Sequence, residues 1–187
     1  MAVVCVFCAS SLDIPSRYVD LATRVGTELA RRGHELVSGG GKVSCMGAVA
    51  RAARAGGAYT VGVIPEALVL LEVADDDADE LIVTPDMRSR KGEMDARADA
   101  FLVLPGGLGT LEEMLEIWVS AVLSMHRKPI VVLDPDGVFD PLREQIERLV
   151  ELGFVRRESV DVVGWVRDVP DAFELIERPE QLPRATI

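Results

Sequence analysis

Nine residues carry the strongest chemical signal in this chain: Pro105-Gly106-Gly107-Leu108-Gly109-Thr110-Leu111-Glu112-Glu113. They follow the apolar run Ala100-Phe101-Leu102-Val103-Leu104 and precede a long helical pattern. Glycines between a buried strand and a helix let the backbone turn sharply and come close to a ligand. Their bare N–H groups, with the positive end of the helix dipole, form an anion site suited to a phosphate. Glu112 and Glu113 follow in the expected first helical turn. A phosphate cradle with a carboxylate one turn away points to chemistry on a phosphorylated substrate. Two readings of Glu113 stay open. Thr110-Leu111-Glu112-Glu113 fits a capping box, in which the glutamate satisfies a backbone N–H. The other reading is a catalytic carboxylate. Glu112 points about a quarter-turn away, toward ligand or solvent.

A second group lies upstream in Met87-Arg88-Ser89-Arg90-Lys91-Gly92-Glu93-Met94. Arg90, Met94 and Arg97 share one helical face. Such a mixed-charge face is ordinarily solvated. If it looks at the glycine loops, Arg90 would pair with a phosphate or carboxylate in bidentate fashion. Met114 and Trp118, four residues apart, read as core or subunit-interface packing rather than a base-stacking platform. Cys5-Val6-Phe7-Cys8 has redox-motif spacing but falls in an apolar strand, so Cys5, Cys8 and Cys45 read as buried thiols. His34 and His126 show no zinc-ligand spacing with these cysteines. The acidic run Asp75-Asp76-Asp77-Ala78-Asp79 lacks the spaced oxygens and glycine of a calcium loop and reads as a solvated connection.

These groups need a frame, and the apolar pattern supplies one. Strands are predicted at Ala2 to Phe7, Glu35 to Val37, Tyr59 to Ile64, Leu81 to Val83, Ala100 to Leu104 and Ile130 to Leu133, with a weak one at Val160 to Val163. Helices are predicted at Pro15 to Arg32, Ser44 to Ala55, Asp86 to Arg97, Thr110 to Ser124, Phe139 to Leu152 and Pro170 to Ile176. Continuous apolar strands alternating with helices mean a parallel sheet covered on both faces, a Rossmann-like α/β fold. We read residues 1–187 as one such domain. Ligands of such sheets bind beyond the carboxyl ends of the strands. Three loops occupy that rim, Cys8-Ala9-Ser10-Ser11, Ser38-Gly39-Gly40-Gly41 and Pro105 to Thr110, and they are expected to converge on one ligand. Neither glycine loop is a dinucleotide fingerprint or a Walker loop.

The chain has 187 residues and a net charge of −11, which argues against nucleic-acid or anionic-membrane partners. An acidic protein that binds phosphate must build its positive site locally. No apolar run is long enough to cross a bilayer and no signal-peptide pattern opens the chain, so a cytoplasmic location is expected.

Pro105 to Glu113 matches P-G-G-x-G-T-x-x-E, and Met87 to Lys91 is similar to an M-x-x-R-K element. Together they resemble the LOG ("Lonely Guy") family, the cytokinin riboside 5′-monophosphate phosphoribohydrolases. Val4 to Ser11, Ser38 to Gly41, Met46-Gly47 and Val61 to Pro65 resemble further elements of that family, over about residues 2–155. The resemblance implies hydrolysis of the N-glycosidic bond of a nucleoside 5′-monophosphate, of the cytokinin or AMP type, to free base and ribose 5-phosphate. Carried over by position, Arg90 and Glu113 form the catalytic pair. Gly106, Gly107, Gly109 and Thr110 hold the 5′-phosphate, Glu72 and Lys91 line the nucleotide site, and Ser11, Gly41, Leu108 and Glu112 complete it. No metal or organic cofactor is implied. Leu108 stands where the family has tyrosine, and Ser44-Cys45-Met46-Gly47 where it often has Gly-Leu-Met-Gly. A homodimer is implied, for which Trp118, Leu123 and Met125 offer an apolar face. The alternative, from another class, is a nucleotide- or molybdenum-cofactor-binding carrier without turnover.

Overall fold

Seven short apolar segments form one sheet in the computed structural model, which describes residues 1–69 and 74–183. They are β1 (Val3–Phe7), β2 (Glu35–Ser38), β3 (Thr60–Pro65), β4 (Glu80–Thr84), β5 (Ala100–Val103), β6 (Ile130–Leu133) and β7 (Val163–Val166). All pairings are parallel, in the order β4-β3-β2-β1-β5-β6-β7. The Rossmann-like expectation holds. The chain builds outward from β1 in one direction through β4, then returns to the other side of β1 with β5. The crevice between β1 and β5 is therefore the topological switch point, where such sheets place their ligands.

Alternate side chains of each strand face opposite layers. One layer packs Val4, Val6, Leu36, Leu102 and Val131 under α1 (Ser16–Arg31), α2 (Ser44–Ala55) and α8 (Val169–Glu177). The other packs Cys5, Phe7, Val63, Phe101 and Val132 under α4 (Met87–Arg97), α5 (Leu108–Val122) and α6 (Asp140–Glu151). Leu21, Ala22, Val25 and Leu29 form the buried stripe that docks α1. A one-turn helix, α3 (Glu66–Val69), follows β3.

Three local expectations are corrected. Val160 to Val163 is not a strand: Arg157–Asp161 is a short helix, α7, and the strand begins at Val163 and runs through Gly164 and Trp165. A Cβ at Gly164 would come within 2.7 Å of Leu175 and 2.9 Å of Leu182, so a strand glycine is what lets the C-terminal segment close over β7. Asp75 is not solvated; it is buried and accepts two hydrogen bonds from Arg54, at 2.8 and 3.0 Å. The helix after the glycine loop starts at Leu108, two residues earlier than expected. Gly107 takes the N-cap position, and no side chain caps the helix.

Candidate active site

A cavity of about 510 Å³ opens at the switch point. Cys8 to Ser11 line it from the end of β1, and Pro105 to Thr110 from the end of β5. Arg90, Glu112 and Glu113 complete its polar wall. The Ser11 carbonyl accepts a 2.5 Å hydrogen bond from Ser44 Oγ, which ties the β1 loop to the start of α2.

Arg90 is the buried face of an otherwise polar helix. Asp86 starts α4 by accepting from the Ser89 N–H at 2.7 Å, and only Arg90 and Met94 on that helix are buried. The solvated reading of this face therefore fails for Arg90 and holds only for Arg97, which pairs with Glu80 and Glu93. Arg90 Nε donates to the Val63 carbonyl at 3.0 Å, Nη2 to the Gly39 carbonyl at 3.3 Å and Nη1 to Glu113 Oε1 at 3.0 Å. A buried guanidinium is tolerable only with such acceptors around it.

The helix start and the contact with Arg90 remove one of the two readings of Glu113. With the helix beginning at Leu108, Glu113 falls in its second turn, too far along to reach the N-cap nitrogen. Its carboxylate meets Arg90 instead, so the capping-box reading is corrected: no capping box forms. The side chain is 11% exposed. Burial pushes its carboxyl above the usual glutamate range, and the Arg90 guanidinium pulls against that rise.

The uncapped start of α5 faces the same cavity through Gly107, Leu108, Gly109 and Thr110. An added Cβ at Gly107 or Gly109 would meet nothing within 4 Å, and neither has positive φ. The protein's own packing does not require glycine at either place. What their missing side chains leave is open access to the first N–H groups of a 15-residue helix. Gly106 differs, because a Cβ there would overlap the buried Thr110 side chain, coming within 2.7 Å of its Cβ.

The remaining expected residues are dispersed. Lys91 lies outside the cavity lining, in a recess of about 80 Å³ behind Glu113, paired with Glu112 and, at 2.6 Å, with Glu116. Gly41 is buried and bridges to Ala74 rather than lining the cavity. Ser38 to Gly41 thus does not converge on the cavity with the other two loops; through Gly39 it receives Arg90. Glu72 lies outside the described residues. Cys5, Cys8 and Cys45 are free and buried, as expected, with thiol pKa values raised by burial. Sequence reasoning missed Ile14, Tyr18, Met46, Leu68, Met87 and Val138, which form the cavity's apolar walls. Ile14 and Tyr18 carried a weak signal as apolar positions beside the β1 loop. Val138 carried none: the buried Asp134 holds its loop by accepting from the Val138 and Phe139 N–H groups at 2.9 and 2.8 Å. Among the described residues, no group of three or more His, Cys, Asp or Glu is placed to hold a metal.

Sheet order, switch-point cavity, uncapped glycine turn and buried Arg–Glu pair define a Rossmann-like α/β protein with a candidate ligand crevice at its switch point. Residues 46–176 match a family model described as "Possible lysine decarboxylase". Two curated relatives, both named cytokinin riboside 5′-monophosphate phosphoribohydrolase, are similar over nearly the whole chain. That of Mycobacterium marinum is 50% identical over 91% of this chain and 91% of its own length. That of Mycobacterium tuberculosis is 51% identical over 90% of each. The chain belongs to this phosphoribohydrolase (LOG) family. A solved molybdenum cofactor binding protein from Rippkaea orientalis shares the fold, with a TM-score of 0.72 over 95% of this chain and 96% of that one, at 23% identity.

Proposed function

We propose that this chain hydrolyses the N-glycosidic bond of nucleoside 5′-monophosphates, of the AMP or cytokinin riboside type, to free base and ribose 5-phosphate. One observation carries the reading: the buried Arg90–Glu113 pair stands on the same cavity as the uncapped start of α5. A 5′-phosphate on the N–H groups of Leu108, Gly109 and Thr110 would present the ribose to Glu113. As the C1′–N bond breaks, its electrons leave with the base and positive charge builds on the sugar. A carboxylate there stabilises that charge or takes a proton from the attacking water. Water oxygen bonds C1′, one of its protons ends on the base, and the hydroxyl stays on the sugar. Burial pushes Glu113 toward the neutral acid, and the Arg90 guanidinium opposes that push.

The apolar walls, from Tyr18, Met46 and Val138, would receive the base. Among the described residues, no lysine lines this cavity, so the site offers no amine for the decarboxylase chemistry in the family model's description. The test is incubation with AMP and its N6-isopentenyl analogue, with chromatography of the products. Free base and ribose 5-phosphate are expected. Nucleotide binding by calorimetry without base release would favour the carrier reading instead.

The same reading includes a homodimer and a cytoplasmic location. Of the three residues expected on an apolar face, Leu123 and Met125 are exposed, while Trp118 is largely buried at the wall of a groove, its indole N–H donating to the Ser159 carbonyl at 2.7 Å. Leu115, Val119, Leu123 and Phe154 are exposed around an apolar groove of about 530 Å³ beside it. We assign this groove to a second copy of the chain, since large exposed apolar patches mark interfaces. No described helix is long and apolar enough to cross a membrane.

A further inference from the structure

The Ser38–Gly41 loop is expected to cradle the ligand, yet none of its residues lines the cavity. Its glycines need another explanation. Gly40 has one in the backbone: its φ is +74°, and a Cβ there would press on Ile64 and Val63 at 3.1 to 3.2 Å. Gly39 has neither feature. Its φ is not positive, so a left-handed backbone is not what calls for glycine there. What forbids a side chain at Gly39 is Arg90. A Cβ at Gly39 would overlap Nη2 of the guanidinium, come within 3.1 Å of its Cζ and sit 3.0 Å from Met46 Sδ.

We propose that Gly39 is a positioning residue of the hydrolytic site: the space left by its missing side chain is the space the Arg90 guanidinium occupies. Arg90 is seated by two backbone carbonyls, Gly39 just past the end of β2 and Val63 within neighbouring β3, and that seat aims Nη1 at Glu113. The loop therefore holds a cation belonging to the protein rather than the anion of a ligand. A methyl at Gly39 pushes against the far end of a flexible side chain rather than against backbone. Arg90 can move aside and the fold can survive. The guanidinium then loses its Gly39 contact and its line to Glu113.

This inference rests on the catalytic role proposed for Arg90, and a mutant cycle separates the two. Gly39→Ala, Arg90→Ala and the double variant are compared with wild type, by AMP hydrolysis and by urea unfolding. In Gly39→Ala kcat falls about 10²-fold, the scale of an ångström of misplacement, while KM for AMP stays nearly constant. The acid limb of its pH–rate profile moves to higher pH, because Glu113 has lost the cation that opposes its burial. In the Arg90→Ala background the same alanine adds no further loss, since the group it displaces is gone. Stability gives a second readout: should Gly39→Ala unfold, the double variant is expected at the urea midpoint of Arg90→Ala. Wild-type kcat in Gly39→Ala overturns the inference, as does an equal cost of the alanine in both backgrounds. If wild-type protein releases no base, the hydrolytic reading fails, and the unfolding cycle still tests the Gly39–Arg90 seat.

Discussion

Replacing Arg90 by methionine removes the cation and keeps much of its shape. Two backbone carbonyls lose a donor, and a carboxylate only 11% exposed loses its counter-charge. Breaking one side of a buried pair typically costs about 3–5 kcal/mol, and both members here are shielded enough for that range to apply. Against a domain stability of about 5–15 kcal/mol, the variant stays folded at neutral pH but unfolds at a clearly lower urea concentration. The deficit also depends on pH. Without Arg90, the Glu113 carboxyl rises further above its unfolded value of 4.5. An acid with a raised folded-state pKa destabilises the fold when ionised and recovers as pH falls through that pKa. The urea midpoint of Arg90→Met should therefore approach that of wild type as pH drops from neutral toward 4.5. Arg90→Met/Glu113→Leu, which removes both charges, should regain most of the lost stability at pH 7. Urea titrations followed by circular dichroism at three pH values would show it. A deficit that is small or independent of pH, or a double variant no more stable than the single one, refutes the coupling of Arg90 to Glu113.

Other perturbations reach other parts of the molecule. Gly107→Val places a side chain over open N–H groups without a packing clash, so KM for AMP should rise about tenfold or more while the urea midpoint changes little. Glu28, held by Arg31 and Arg32, has its carboxyl lowered from 4.5 to about 2, so it contributes stability above pH 4.5 that is lost as pH falls toward 2. Discounted for partial exposure, Glu28→Gln should cost about 1 kcal/mol at pH 7 and nothing near pH 2, measured by urea unfolding. Val119→Glu, on the exposed apolar groove, should shift the protein from dimer to monomer in sedimentation velocity.

The sheet was legible because its strands are continuous apolar runs, and two elements, Ser44–Ala55 and Ile130–Leu133, match the expected bounds. What local pattern could not supply was long-range placement. Thr110 and Glu113 have capping-box spacing, but Gly107 starts the helix early, and the glutamate's partner lies 23 residues back on another helix. Arg90 looks like one of several charges on a polar helix; only the fold reveals the Gly39 and Val63 carbonyls waiting for it. The Ser38–Gly41 loop looks like a phosphate cradle because glycine reads the same whether it admits a ligand or a neighbouring side chain. Asp75 sits in an acidic run that reads as solvated, and Arg54 on α2 changes that. At Gly164, a residue that ordinarily ends a strand is needed within one, to let Leu175 and Leu182 approach.

Turnover itself is the most direct test of the Arg90–Glu113 site. Wild-type protein and Glu113→Gln, both verified as folded, are given AMP, and free adenine is quantified by chromatography. The glutamine keeps the size and an acceptor for Arg90 but removes the charge. A wild-type enzyme that releases adenine and a variant slowed by about 10²-fold or more would match the proposed role of the carboxylate. Equal release by the two proteins would contradict it.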